Sequence, residues 1–391
     1  MVPLTSGLFA ASSASAAVAS GYANVWVRDN VYVAYSYHVR GQSQVAVRVA
    51  RALLRFFSRH RHRFERIIDG SVNPGDVSQR PHIRFNGVTL EEITTERWPH
   101  AQNDALGYAL WLTATLVHDS VLELHGPEHE MLALFPQYFN ALPYWEDEDS
   151  GHWEETRKIS ASSIGTVVAG LEALVLAGTG HGRAAQFSPT LIETAARLAE
   201  RGRAALRAIL PHECVQSSPS QHRSCDAALL FLLYPLGGIQ DQSTAARIVR
   251  GIQSTLAGEH GIRRYRGDSY WAPDYEERLA AEDRTRDYSD DLTARDALLE
   301  REGEEAQWCL FDPMLSAFFG GRFRHTGAAP DLELQTYYFR RSLSQVTASW
   351  QCPELYYLRR GEYVANPHTP LLWTQANLAV ALHAMRQSLE R

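Results

Sequence analysis

Apolar positions along the chain recur with helical spacing. Ile164, Val167, Val168, Leu171, Leu174 and Val175 fall at i, i+3, i+4, i+7, i+10 and i+11, which is one face of a 3.6-residue period. Ser160, Ser162 and Ser163 ahead of them can cap a first turn. Ser188-Pro189 predicts a second helix, with Ser at the N-cap and Pro at the first helical position. Its stripe is Leu191, Ala195, Leu198, Ala205 and Ile209, and Pro211 ends it. The same period predicts helices over residues 31–39, 45–57, 105–117, 131–140, 227–234, 243–256, 307–319, 334–347 and 371–389. That makes about a dozen helical segments, with no recurring strand alternation.

Several of these helices are apolar nearly all round. Leu106, Ala109, Leu110, Leu112, Leu116 and Val117 leave little polar face, so that helix is expected to be buried on both sides. Amphipathic and fully buried helices in one chain imply two helical layers, an inner and an outer ring. The loops between them are rich in aromatic and charged residues. No Pro/Gly/Ser linker divides the chain, which predicts a single domain over residues 1–391, and no repeat of fixed period is visible. Residues 274–305 are dense in both charge signs and poor in large apolar side chains, the signature of an excursion, a flap or a solvated surface helix.

Composition narrows the classes. Hydrophobic residues at 45% and charged residues at 21% describe a globular chain with ample core. The net charge of −7 and the lack of an isolated basic run argue against nucleic-acid or anionic-membrane partners. The basic, His-rich segment 55–66 is expected to be a solvated helix end. Cys214, Cys225, Cys309 and Cys352 form no C-x-x-C pair, so no zinc or redox site is expected and the spacing fits a reducing cytoplasm. No apolar run of about 18 residues stands out as a membrane span. Residues 8–20 are rich in Ala and Ser but lack a basic n-region and a strong apolar h-region, so export is not expected. Neither a phosphate loop, nor a dinucleotide fingerprint, nor a metal-ligand cluster appears, and no cofactor is expected. Oligomeric state is not legible.

Five segments carry candidate chemistry. Sugars are bound by flat aromatic faces and by charged, bidentate hydrogen-bonding groups, and cleaving a glycosidic bond typically takes two carboxyl groups. Trp26-Val27-Arg28-Asp29 sets an Arg-Asp pair beside an indole. Trp98 lies shortly before Asn103-Asp104, at a predicted helix start where Asp104 could instead cap. Asp147 to Glu155 packs five carboxylates around Trp153; like-charge crowding and an apolar neighbour should push one of them toward the protonated form. Arg264-Tyr265-Arg266-Gly267-Asp268 mixes arginine with aromatics. Cys352-Pro353-Glu354-Leu355-Tyr356-Tyr357 holds a carboxylate behind a proline, followed by two tyrosines. Each alone reads as easily as a surface ion pair, a cap, an acidic loop, a turn or a structural segment.

Together and in this order they resemble glycoside hydrolase family 15, in the flavour of the glucoamylase-like domain of phosphorylase kinase α and β subunits and their bacterial relatives. The matching stretches are Gly7-Leu8-Phe9, VWVRDNVYVAY (25–35), PHIRFNG (81–87), WPHAQNDALGYALWL (98–112), HWEE (152–155) with SASSIG (160–165), CDAALL (225–230), RRYRGDSYW (263–271), CPELYY (352–357) and PLLWTQANL (370–378). The resemblance implies an all-α, (α/α)6 barrel. It implies Glu154, the first Glu of W-E-E, as general acid and Glu354 as general base. It matches Arg28 and Asp29 to the residues that hold the nonreducing-end glucose, Arg264 to a subsite arginine with Asp268 in the same motif, and Glu155 to a residue orienting substrate hydroxyls. Trp26, Trp98, Trp153, Trp308 and Tyr356 are the expected aromatic lining, with Asn103 and Asp104 beside them.

The chain is not expected to hold the β-sandwich or starch-binding module that many relatives carry, which points to soluble α-glucosides or short oligosaccharides as substrate. Inversion would need the two carboxyls roughly 6.5–9.5 Å apart. Two alternatives stand beside this reading. One is a glycan-binding or regulatory module that keeps the pocket without turnover. The other is a different (α/α)6 enzyme, an epimerase or lyase, built on histidines such as His82, His100, His152 and His368, which are scattered in the sequence.

Overall fold

A computed structural model gives the fold of residues 1–13, 17, 21–180, 187–285, 289 and 291–391. The chain divides into two compact units, Met1–Phe9 with Val25–His222, and Ala10–Asn24 with Arg223–Arg391.

The first unit opens on a two-residue strand, β1 (Val25–Trp26), that turns directly into α1 (Val27–Val39). α2 (Ser43–Arg59) and α3 (His62–Ile68) follow, then the short strands β2 (Arg84–Asn86) and β3 (Glu91–Glu92). The three strands form one antiparallel sheet, with Trp26 opposite Arg84 and Phe85 opposite both Val25 and Glu92. Strands of two or three residues are too short for alternation to register in a sequence, which is why none was predicted. α4 (Asn103–His118), α5 (Gly126–Ala141), α6 (Ala161–Thr179) and α7 (Pro189–Ile209) follow, and β4 (Cys214–Val215) comes late in the unit.

Helix α4 is buried almost throughout, as its apolar circumference requires. It packs chiefly on α6. A Cβ on Gly107 would stand 2.8 Å from the Val167 nitrogen, and one on Gly170 would stand 2.7 Å from the Gly107 carbonyl, so only glycine allows this approach. Helix α6 runs longer than the stripe predicted. It begins at Ala161, leaving Ser162 and Ser163 inside it, and Ser160 makes no side-chain cap. The cap comes from elsewhere: the Ser162 N–H donates to Glu213 Oε2 at 3.2 Å. Among the described residues α6 is also long and apolar enough to cross a membrane, which the sequence reading did not anticipate; 83% of that window is buried against its neighbours. Helix α7 begins as predicted, with the Ser188 hydroxyl accepting from the Leu191 N–H.

The second unit carries α8 (Leu229–Leu233), α9 (Gln242–Thr255), α10 (Tyr275–Arg278), α11 (Thr293–Asp296), α12 (Phe311–Thr326), α13 (Ala329–Ser344) and α14 (Leu372–Leu389). Strand β5 (His222–Arg223) lies at its boundary, and β6 (Gln307–Trp308), β7 (Leu355–Arg359) and β8 (Glu362–Ala365) form an antiparallel sheet. The helix predicted over 307–319 therefore starts four residues late. Trp308 exchanges main-chain hydrogen bonds with Ile262, and the Cys309 N–H donates to the Glu354 carbonyl. Tertiary pairing overrides a helix-compatible pattern there. α12 packs on α13 and α14.

The charged segment 274–305 holds α10 and α11 and is tied down at several points. Arg278 Nη1 donates to the Leu298 carbonyl at 2.6 Å, the Tyr275 hydroxyl to the Arg284 carbonyl at 3.1 Å, and the Gly267 N–H to Glu305 Oε1 at 2.9 Å. Residues 286–288 and 290 of it, and 14–16 and 18–20 of the Ala/Ser-rich stretch, lie outside the described residues. All four cysteines are free thiols.

Candidate active site

In the first unit the chain passes from β1 into α1 without a loop, so Arg28 and Asp29 stand in the first turn of α1. An acidic side chain is favoured at such an N-terminus. The junction is pinned by Asn30, whose amide donates to the Trp26 and Phe9 carbonyls and accepts from the Phe9 N–H. Glu154 approaches this turn from a short 3-10 helix, Gly151–Trp153. Its own backbone is left-handed, at φ 59° and ψ 41°, a conformation that costs a non-glycine residue about 1–3 kcal/mol. The turn separates the two glutamates of W-E-E. Glu155 is fully buried, while the Glu154 side chain keeps 18% of its surface.

Glu154 Oε1 accepts from Trp26 Nε1 at 3.1 Å and from Arg28 Nη2 at 3.3 Å. Burial raises its pKa above the ordinary carboxyl value, against the opposing pull of Arg28. The sequence led us to expect that crowding in residues 147–155 would push one carboxyl toward the protonated form; for Glu154 the shift is in that direction. Desolvation is the larger cause, and Asp149 shows the effect more strongly: buried beside Asp104 and Asp147, it is pushed up to about 8. Asp147 is held bidentately by Arg80 at 2.8 and 3.0 Å. Asn103 donates to Asp147, and its N–H at the head of α4 donates to Asp149. Asp104 is fully buried and its Oδ2 accepts from Arg28 Nη1.

Trp26 and Trp98 meet edge to face, with ring centroids 5.9 Å apart. The Arg84 guanidinium lies 4.1 Å from the Trp98 ring and 5.0 Å from Trp26, a cation–π stack. Arg84 belongs to PHIRFNG, a stretch whose role the sequence reading left unassigned. Trp153 is buried next to His152.

In the second unit Glu354 is 3% exposed and its two oxygens have different partners. Oε1 accepts from the Tyr22 hydroxyl at 2.9 Å, and that hydroxyl also bonds Tyr270 OH at 2.9 Å. Oε2 accepts from the Asn366 amide and bonds His368 Nδ1 at 3.1 Å. The Tyr22 ring stacks on His368 at 3.7 Å, and Trp271 closes on His368 edge-on at 5.5 Å. Trp308 stacks on Tyr270, and the Arg264 guanidinium lies 4.9 Å from Trp308 and 5.1 Å from Tyr270. Arg264 is paired bidentately with Asp268, both bonds 2.6 Å. Tyr356 stands elsewhere: its hydroxyl donates to the Gln345 carbonyl and its ring packs on His260.

Sequence reading missed Tyr22 and Asn366 as partners of Glu354, and Tyr270 as the group bonded to Tyr22: Tyr22 is 332 positions away, and Asn366 is returned to Glu354 by the β7–β8 hairpin. It named His368 without a partner. Of the other histidines, His82 and His100 stack on each other at 3.7 Å, and His152 sits between Tyr108 and Ser162. Among the described residues no group of three or more His, Cys, Asp or Glu could hold a metal ion.

The buried histidines make stability pH-dependent. Burial lowers His82 from 6.5 to about 4. Above pH 6.5 the folded and unfolded chains both carry it neutral. Below that the unfolded chain binds the proton first, so stability falls from about pH 6.5 to about pH 4, at roughly 1.4 kcal/mol per pH unit. Asp149, raised to about 8, works in the opposite direction, so the contribution of His82 is read as the difference between variant and native protein. Relative to native protein, His82→Gln is expected to gain stability steadily as pH drops from 6.5 to 4 in urea titrations. A pH-independent difference would contradict this.

The family model for glycosyl hydrolases family 15 matches residues 2–302. No curated protein matches the chain. Among solved structures, a wild-type glycosidase aligns with a TM-score of 0.70 at 19% identity, covering 98% of this chain and 92% of that one. A bacterial glucoamylase complexed with acarbose gives a TM-score of 0.61 at 16% identity over 94% of this chain and 50% of that one. The glucoamylase of Saccharomycopsis fibuligera gives 0.60 at 12% identity over 98% and 90%. At these identities the likeness carries the fold, the all-α (α/α)6 class expected from the sequence. With the family model matching most of its length, the chain belongs to glycosyl hydrolase family 15 and is a glycoside hydrolase.

Proposed function

We propose that the protein is an exo-acting, inverting α-glucosidase that takes soluble α-glucosides or short oligosaccharides and releases β-glucose. Glu154 gives its proton to the glycosidic oxygen as the C1–O bond breaks. Glu354 takes a proton from the water whose oxygen bonds to C1. Arg28 and Asp29 bind the terminal sugar, Trp26 and Trp98 supply its flat contacts, and Arg264, held by Asp268, serves a further subsite.

The observation that carries this reading is the state of Glu154. Its side chain keeps 18% of its surface while its neighbour Glu155 and the nearby Asp104 and Asp149 are buried, and burial favours its protonated form. The family match includes Glu154 and ends at residue 302, so the pairing with Glu354 rests on the resemblance of Cys352-Pro353-Glu354 to the late Pro-Glu motif.

The test is to incubate the protein with maltose, isomaltose, kojibiose and trehalose and follow the first-formed anomer by NMR. β-Glucose is expected first. α-Glucose first would overturn inversion. Binding of an acarbose-like inhibitor, with no hydrolysis of any glucoside, would favour the non-hydrolytic module.

A further inference from the structure

A general acid must hold its proton, yet Glu154 accepts from a guanidinium. A cation within about 4–6 Å typically lowers a carboxylic acid by one to three pH units. We propose that Asp104, read from the sequence as a sugar ligand, is instead a positioning residue that takes up the charge of Arg28 so that Glu154 can remain an acid. The proposal rests on Glu154 being the proton donor.

The geometry is a fork. Arg28 Nη1 donates to Asp104 Oδ2 at 2.5 Å and to Gln102 Oε1 at 3.2 Å, while Nη2 reaches Glu154 at 3.3 Å. Arg28 is 3% exposed and Asp104 fully buried, so water screens neither. The shorter contact is the one to Asp104. A cation tightly paired with an anion acts on a third group as a dipole, whose field falls faster than that of a bare charge.

Asp104 is itself placed from behind. His152 Nδ1 stands 3.6 Å from Asp104 Oδ2 and 3.2 Å from the Ser162 hydroxyl, which donates to Glu213. His152 Nε2 meets Tyr108 OH at 3.2 Å, and Tyr108 OH meets Tyr32 OH at 2.8 Å. Burial holds His152 neutral, at about 3, so it adds no competing positive charge. Among the described residues the charged and titratable groups that act most on this pair, besides each other, include Asp29, Asp104 and Tyr108 toward Arg28, and Arg84 and Asp104 toward Glu154. With Asp104 neutral, Arg28 and Arg84 would both act on Glu154 unopposed from that side.

The test is the pH dependence of kcat/KM for maltose. In Asp104→Asn the alkaline limb, which reports loss of the acid's proton, is expected to move down by at least one pH unit, so that lowering the pH restores part of the lost activity. A defect of folding or packing would depress activity at every pH. An alkaline limb that stays in place in folded Asp104→Asn overturns the proposal. Should that variant not fold, Arg28→Gln gives the opposite sign: the limb must move up, and a limb that moves down or stays overturns the idea equally. Failure of the underlying reading is separable, because Glu154→Gln would then keep its activity and its alkaline limb.

Discussion

Replacing Glu154 by Gln is expected to lower kcat on maltose by about 10²–10⁴, while α-glucosyl fluoride is hydrolysed with a much smaller loss. The two substrates differ in what they ask of the acid. The glucosyl oxygen of maltose must be protonated to leave, whereas fluoride leaves without a proton. Gln keeps the volume and can still accept from Trp26 and Arg28, the two donors to Glu154 Oε1. The change therefore removes the proton and little else. Equal loss on both substrates would mean that the side chain serves binding or folding, and no loss on maltose would remove it from the mechanism.

Glu354→Gln is expected to differ in kind: kcat falls by about 10²–10⁴ on both substrates, because each needs an activated water whatever the leaving group. The carboxylate is built into a fixed frame. Tyr22 donates to one oxygen, and Asn366 with His368 occupies the other. Among the described residues Oε1 has one donor, Tyr22, and Oε2 has two partners, so Oε1 is the oxygen with more capacity to accept a proton from water. KM should change little, since the loss falls on the chemical step. A rise in KM at unchanged kcat would assign Glu354 to binding. Comparing the two variants on the two substrates separates acid from base without a structure of either.

The helices were legible because burial imposes a period. The stripe from Ile164 to Val175 and the Ser188-Pro189 start both appear as helices in the structure. The candidate carboxyls were legible because Trp-Glu-Glu and Pro-Glu sit in short, unusual neighbourhoods. Sequence could not say how they are held. Glu154 departs from Glu155 through a left-handed backbone turn that no propensity announces. Asp104 looked like a cap or a ligand, and only the packing of α1 beside α4 shows it committed to Arg28.

What the sequence by itself determined was the helical periodicity and, through the family resemblance, the class of fold and the candidate carboxyls, since these depend on local pattern and short motifs. Tertiary structure decided the partners: Tyr22, Asn366 and His368 on Glu354, and Trp26 and Arg28 on Glu154. The reason is that hydrogen bonding and desolvation act over a few ångströms of space. Residues up to 332 positions apart in the chain come within that range only after the fold has formed.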